Sequence, residues 1–347
     1  MQILKKLTWS FGDQAASSVS NLLLSIVLAQ QLSLSAFGGF ALAYAVYQVM
    51  VGVSRASVGE PTLIRVSLTN ERDRSAHVGA GTFGASLWLG IVFAPVCLGV
   101  GLLTDGPVAA AFLVLGACAP MLMVFDGLRY WCFARGRARS AFLLDFTWLL
   151  VQIVGFVVLL ASRNNTLVPL MGMWGLAAGL VAIVYLTAVR TAPSLRAGLS
   201  WYKSHRDLSP RFLGEYATIS GVQQSVILFT VAFVGVESVG AIRAGQVILG
   251  PLNVVTAGIA VIVLPILARS AKTRLSALPK MSGLISVTLA GMAVLYGALA
   301  MFLPDSAGIW MLGDSWASGS SLILPLVLAT AAGGLSYGAT SALRAMQ

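Results

Sequence analysis

Charge is scarce in this sequence. Asp, Glu, Lys and Arg make up 10% of its 347 residues, against about 25% in soluble domains. That excludes an ordinary soluble enzyme. Cysteine is nearly absent too. Cys97, Cys118 and Cys132 form no even set and have no metal-type spacing, so they read as small buried hydrophobes. The two histidines, His77 and His205, lie in linkers with no acid or second His at helical spacing, which reads as solvated surface. No Gly-rich loop precedes a Lys-Ser or Lys-Thr pair, and there is no Gly-x-Ser-x-Gly elbow. These absences leave no catalytic residue, cofactor site or metal site to name, and the chain reads as a non-enzyme.

What the chain has instead is apolar length. Hydrophobic residues make up 58%, and the mean hydropathy is +0.88. Ten stretches reach the roughly 20 residues that cross a bilayer: 9–31, 37–58, 79–103, 107–130, 140–162, 167–189, 213–235, 241–267, 282–303 and 319–343. The net charge of +10 raises nucleic acid as a partner, but the placement of the charge excludes it. Twenty of the 22 Lys and Arg residues fall in alternate gaps between the stretches, Arg163 and Arg243 being the exceptions. That alternation marks the cytoplasmic side of a multi-pass protein of the plasma (inner) membrane, with membrane lipids as partners. Both termini are then cytoplasmic. The first stretch is interrupted by Asp13, Gln14, Ser17, Ser18 and Asn21 and has no clear cleavage site, so it reads as an uncleaved first helix. The longest linker, 190–212, is basic and holds Trp201 and Tyr202. It reads as a connector with a short helix on the membrane surface.

The chain also repeats itself. A shift of 202 positions lays Gly12-Asp13 on Gly214-Glu215, Ser18 and Asn21 on Ser220 and Gln223, and Gly38 on Gly240. A shift of 209 lays Asp105 on Asp314 and Arg135 on Arg344. Duplicated helical bundles are common in transporters. The expected architecture is therefore all-α and polytopic. It has about ten transmembrane helices in two pseudo-repeated lobes, 1–200 with six helices and 201–347 with four, around a central cavity. The second lobe reads as two helices short, as in a fragment or a naturally trimmed form.

Polar residues inside the apolar stretches mark the candidate site. The first stretch carries Ser10, Gln14, Ser17, Asn21 and Ser25 on one helical face. The second carries Tyr44, Tyr47, Gln48 and Arg55. The seventh carries Glu215, Thr218 and Ser225 with Ser220, Gln223 and Gln224 beside them, and the eighth carries Arg243, Gln246, Asn253 and Thr256. Such stripes are costly against lipid. They line a hydrated cavity, or they bond neighbouring helices together. Arg243 stands on the outward side, where the charge rule disfavours it, and its fork suits phosphate oxygens. Alternatives are an ion pair with Glu237 or reach to the headgroups. The candidate binding residues are Arg243, Arg55, Gln246, Asn253, Asn21, Gln48 and Tyr44. Asp13 and Glu215, each one turn into its helix, are candidates for coupling or gating, or cap the helix dipole. Asp126 and Arg129, three apart, are expected to neutralise each other, and Asp145 has no assigned role. Gly250-Pro251 should kink its helix and act as a hinge. The pairs Gly175/Gly179 and Gly334/Gly338 permit close helix contact.

Several short motifs carry a family resemblance. Phe11-Gly12-Asp13-Gln14 and Leu34-Ser35-Ala36-Phe37-Gly38 open the first two helices. Ser54-Arg55-Ala56 and Gly59-Glu60-Pro61 close the second, and Leu312-Gly313-Asp314-Ser315-Trp316 precedes the tenth. Together they resemble polysaccharide-biosynthesis exporters of the multidrug/oligosaccharidyl-lipid/polysaccharide (MOP) flippase superfamily. The resemblance implies two six-helix lobes and the flipping of lipid-diphosphate-linked oligosaccharide from the inner to the outer leaflet, with cavity arginines on the diphosphate. That role is carried here only to Arg55 and Arg243. The implied partners are the lipid-linked oligosaccharide and polysaccharide-assembly proteins, with a monomeric transporter. Competing readings are a cation-coupled multidrug exporter of the same superfamily, a non-transporting remnant, and a membrane glycan polymerase or ligase. The exporter would want acids and aromatics in the cavity. The polymerase or ligase would want a long outward loop with clustered acids, His or Arg.

Overall fold

The computed structural model describes residues 2–68, 75–256, 259, 263, 267 and 275–345. Among them every regular element is helical. The helices are α1 (Gln2–Gln31), α2 (Leu34–Ser54), α3 (Glu60–Leu68), α4 (Ser75–Leu103), α5 (Gly106–Ala134), α6 (Ala138–Ala161), α7 (Leu167–Val189), α8 (Leu195–Ser204), α9 (Ser209–Val234) and α10 (Val236–Ile248). They continue with α11 (Gly250–Thr256), α12 (Leu278–Met301), α13 (Asp305–Leu312), α14 (Ser315–Ser320) and α15 (Ile323–Ala345). Among the described residues, seven spans are long and apolar enough to cross a membrane, and α10 with α11 makes an eighth. The other two of the ten expected stretches fold as α1 and α9, the helices that bear the polar residues of the first and seventh stretches.

The chain divides into two compact units. One holds Ile3–Gln30 with Ala241–Gln347. The other holds Gln31–Gly240. The repeat is legible in the elements. α2 starts at Leu34 and α10 at Val236, 202 residues apart. α1 ends at Gln31 and α9 at Val234, and α4 and α12 start at Ser75 and Leu278. Gly38 and Gly240, matched by the same shift, lie against each other: a Cβ on Gly240 would sit 3.1 Å from the Gly38 Cα. Both small-residue pairs allow the expected close approach. Gly175 and Gly179 rest on Cys118 and Met121 of α5, while Gly334 and Gly338 rest on α12 backbone at Ala290 and Ser282. All three cysteines are buried thiols outside any disulfide.

Two expectations are corrected. The second helix does not close at residue 58 but runs on to Leu68 through a π-helical turn at Arg55–Gly59. Pro61 explains the detour. It has no N–H for the Ser57 carbonyl four residues back, and its ring would strike that oxygen. The π turn takes up the strain: the Glu60 N–H bonds to the Arg55 carbonyl. The Ser209 hydroxyl donates to the orphaned Ser57 carbonyl at 2.7 Å, so this buried acceptor is met. The second correction concerns His205 in the 190–212 connector. The connector helix α8 forms as expected, capped by the Ser194 hydroxyl, and it packs against α4. Gly84 and Gly198 meet backbone to backbone, and Tyr202 donates to the Ala85 carbonyl at 3.0 Å. His205 is not freely solvated. It stacks on Trp201 with ring centres 3.9 Å apart, and burial lowers its pKa. His77 lies outside the described side chains.

Candidate functional site

In the unit formed by Gln31–Gly240, four charges make a chain through the helices. The π turn brings Arg55 onto Asp126 of α5, with Nη2 to Oδ1 at 2.8 Å and Nε to Oδ2 at 3.3 Å. Arg129 reaches across to Asp145 of α6 at 3.0 Å. The expected pair within α5, Asp126 with Arg129, exists only as a longer contact of 3.5 Å. Each of these two residues thus has its shorter contact on another element. The side chains of Asp126, Arg129 and Asp145 are 6, 8 and 0% exposed, and that of Arg55 is 39% exposed. Two carboxylates and two guanidinium groups balance. That satisfies the rule that buried charge must be paired, and it leaves Arg55 as the accessible end.

Beside this chain runs an aromatic column. Tyr44 and Tyr47 lie 5.7 Å apart, and Tyr47 meets Trp174 edge-on at 4.6 Å. Gln48 donates to the Tyr44 hydroxyl at 3.0 Å. Tyr216 of α9 occupies the space that a side chain at Gly52 would fill. Tyr44 is 3% exposed, so of the named pair Gln48 is the one with surface to offer. Asp145 and the buried Gln152 escape a reading from sequence alone. The one available signal is an acid and an amide seven apart on an otherwise apolar helix, α6.

In the other unit, Arg243 of α10 is half-buried, and its partners include Ser25 and Gln246. Nη2 donates to the Ser25 hydroxyl at 2.8 Å, and Nη1 lies 3.5 Å from the Gln246 amide oxygen. Ser25 in turn donates to the Asn21 carbonyl. Arg243, Gln246, Ser25 and Asn21 therefore form one cluster drawn from α1 and α10. Asn253 is exposed on α11. Asp13 is 2% exposed on α1, whereas its repeat mate Glu215 is exposed on α9. The expected stripe on Ser220, Gln223, Gln224 and Ser225 falls on side chains outside the described residues, as do the side chains of Ser10 and Arg344. The predicted kink is present. α10 and α11 meet at 57°, because Pro251 cannot bond to the carbonyl four residues before it. Tyr296 donates to the Ile248 carbonyl at this break, at 2.9 Å. Gly250 matters for closeness: a side chain there would run into Leu22 of α1.

No family model and no curated relative matches the chain by sequence. Solved structures do match by fold. A multidrug resistance MATE family transporter of the MOP superfamily, in an inward-facing conformation, superposes with a TM-score of 0.68 at 14% identity, covering 95% of this chain and 82% of that one. The MATE multidrug transporter DinF-BH, solved as a ligand complex, gives 0.65 at 14% identity, over 99% and 82%. A MATE structure in the straight conformation gives 0.59 at 15% identity, over 99% and 84%. At this identity the likeness establishes the fold: the chain is folded as MATE transporters are.

Proposed function

We propose that the protein is a membrane transporter that flips a lipid-diphosphate-linked oligosaccharide from the inner to the outer leaflet, serving cell-surface polysaccharide synthesis. The observation that carries the reading is the Arg243 cluster. An intramembrane arginine is functional by default. This one is oriented by hydrogen bonds to Ser25 and Gln246. A planar fork so placed suits a diphosphate. Arg55 is the second phosphate-facing candidate, with Gln48, Tyr44, Asn21, Gln246 and Asn253 as polar lining. Asp13 and Glu215 serve coupling or gating, and Gly250-Pro251 serves as the hinge. The membrane potential acts in the same direction. At about 2.3 kcal/mol per charge per 100 mV, a headgroup with about two negative charges gains roughly 4–5 kcal/mol on moving outward from a negative interior.

The multidrug reading has its own support in the fold neighbours named above, two of which are multidrug transporters. Cation export would want acids without basic partners, yet Asp126 and Asp145 are matched by Arg55 and Arg129. The test separates the two readings in one preparation. Liposomes with the purified chain receive either a fluorescent lipid-diphosphate oligosaccharide or a fluorescent cationic dye. Protein-dependent flipping that falls at least about tenfold in Arg243→Ala, roughly 1.4 kcal/mol, supports the flippase and the arginine role. Dye transport without lipid flipping replaces it with the exporter.

A further inference from the structure

The unit Gln31–Gly240 has a second feature, apart from the charge chain. A cavity of about 250 Å³ opens where α3, the start of α4 and α8 meet. Pockets for drug-sized ligands are about 300–1,000 Å³, so this one is too small for an oligosaccharide cargo. Its lining combines apolar Val66, Val78 and Ala197 with polar Arg65, Ser204 and His205. The floor is firm: Trp201 is 4% exposed and packs on Val58 and Ala85. Thr62 is 1% exposed, its hydroxyl donating to the Val58 carbonyl.

The surroundings are positive. Between residues 190 and 212 there are five basic residues and a single acid, Asp207. That acid lies 2.7 Å from Arg65, and both side chains are about half exposed, Arg65 at 48% and Asp207 at 53%. Exposed pairs are worth about 0–1 kcal/mol, so an incoming anion can displace Asp207 at little cost. An apolar slot beside an arginine, in a basic segment of a membrane protein, fits one ligand class. Its anion would meet Arg65 and its hydrocarbon would lie on the valines.

We infer that this cavity binds one anionic phospholipid, with the headgroup phosphate on Arg65 and the first part of an acyl chain along Val66, Val78 and Ala197. The lipid would bridge α3 and α8. The inference is independent of the cargo proposed above.

The test is native mass spectrometry of the full-length protein released from nanodiscs, titrated with phosphatidylglycerol or phosphatidylcholine. Phosphatidylglycerol should be retained and phosphatidylcholine should not. Arg65→Gln removes the phosphate partner, and Ser200→Trp fills the slot from the exposed face of α8. Each should weaken retention at least about tenfold. Asp207→Asn removes the competitor and should tighten retention, a change of opposite sign that damage to the fold would not produce. Unchanged retention in Ser200→Trp means general attraction to a basic surface and overturns the site. Equal binding of glycerol 3-phosphate, which has no acyl chain, reassigns the cavity to soluble phosphates and overturns the lipid.

Discussion

The two copies of the repeated helix pair start alike and break differently. α2 begins 202 residues before α10, and each is followed by a break near a proline, though not at matched positions: by that shift Pro251 answers to Val49 and Pro61 to Val263. In the first copy the chain passes through a π turn and stays one 33-residue span, Leu34–Val66. In the second it bends by 57° between α10 and α11. The surroundings account for the contrast. The first break is fastened by the Arg55–Asp126 pair and by the Ser209 hydroxyl on the freed carbonyl. The second has a tyrosine hydroxyl on one carbonyl, and α12 and α15 carry no acid at all. A proline takes one N–H out of the helix ladder, yet α4 and α5 run through Pro95 and Pro120 as single helices. The groups packed around a proline break decide whether it becomes a pinned turn or a bend.

The contrast can be broken most severely from the charge side. Asp145→Asn strips the wholly buried carboxylate facing Arg129, and breaking a buried pair costs about 3–5 kcal/mol. Thermal unfolding of the purified protein should drop by many degrees. The matching change in the other unit, Arg243→Gln, loses the bond to Ser25 at 2.8 Å, worth about 1.5–3 kcal/mol for a charged donor, and should lower the transition less. Equal losses would mean that the two arginines are held alike.

Next in size is Pro251→Ala. It restores an N–H for the carbonyl at Val247 and should straighten the α10–α11 break. The readout is the distance between spin labels on either side of the bend, and with it slower transport if the bend is a hinge. Ser209→Ala leaves the buried Ser57 carbonyl unmet and should cost about 1–3 kcal/mol. Pairing it with Pro61→Ala, which supplies a backbone donor for the same carbonyl, should recover part of that loss.

The smallest effect is a pH dependence at the connector. Burial against Trp201 is the main cause lowering the His205 pKa below its ordinary 6.5, with Arg65 adding to it and the Trp201 carbonyl and Asp207 opposing. The folded state thus favours the neutral ring. The stacking contribution is complete above pH 6.5 and is lost as the pH falls through the lowered value. Protection of the amides over 195–205, corrected for the intrinsic pH dependence of exchange, should fall on acidification, and His205→Phe should abolish that response.

Several features were legible because they depend on local geometry alone. A stripe at helical spacing stays on one face wherever the helix goes. Gly250-Pro251 must leave its helix one donor short, since the missing N–H is a property of the residue. The clustering of Asn21, Ser25, Gln246 and Arg243 was half legible: the faces were readable, and their meeting was not. The i,i+3 pair of Asp126 and Arg129 was readable and is present at 3.5 Å, but the shorter contacts of both residues, to Arg55 and Asp145, were not.

The sequence by itself determined that this is an all-helical membrane chain with a repeat, polar faces on particular helices and most of its charge kept out of the spans. Lipid or water at each position enforces that through burial energies of single residues. Only the tertiary structure decided which charges pair, Arg55 with Asp126 across 71 residues and Arg129 with Asp145. It also decided that α8 lies on α4, and that the chain is pinned at one proline break and bent at the other. Those outcomes turn on the rotation and close approach of whole helices. Contacts distant in sequence set that rotation, and no spacing rule within one helix encodes it.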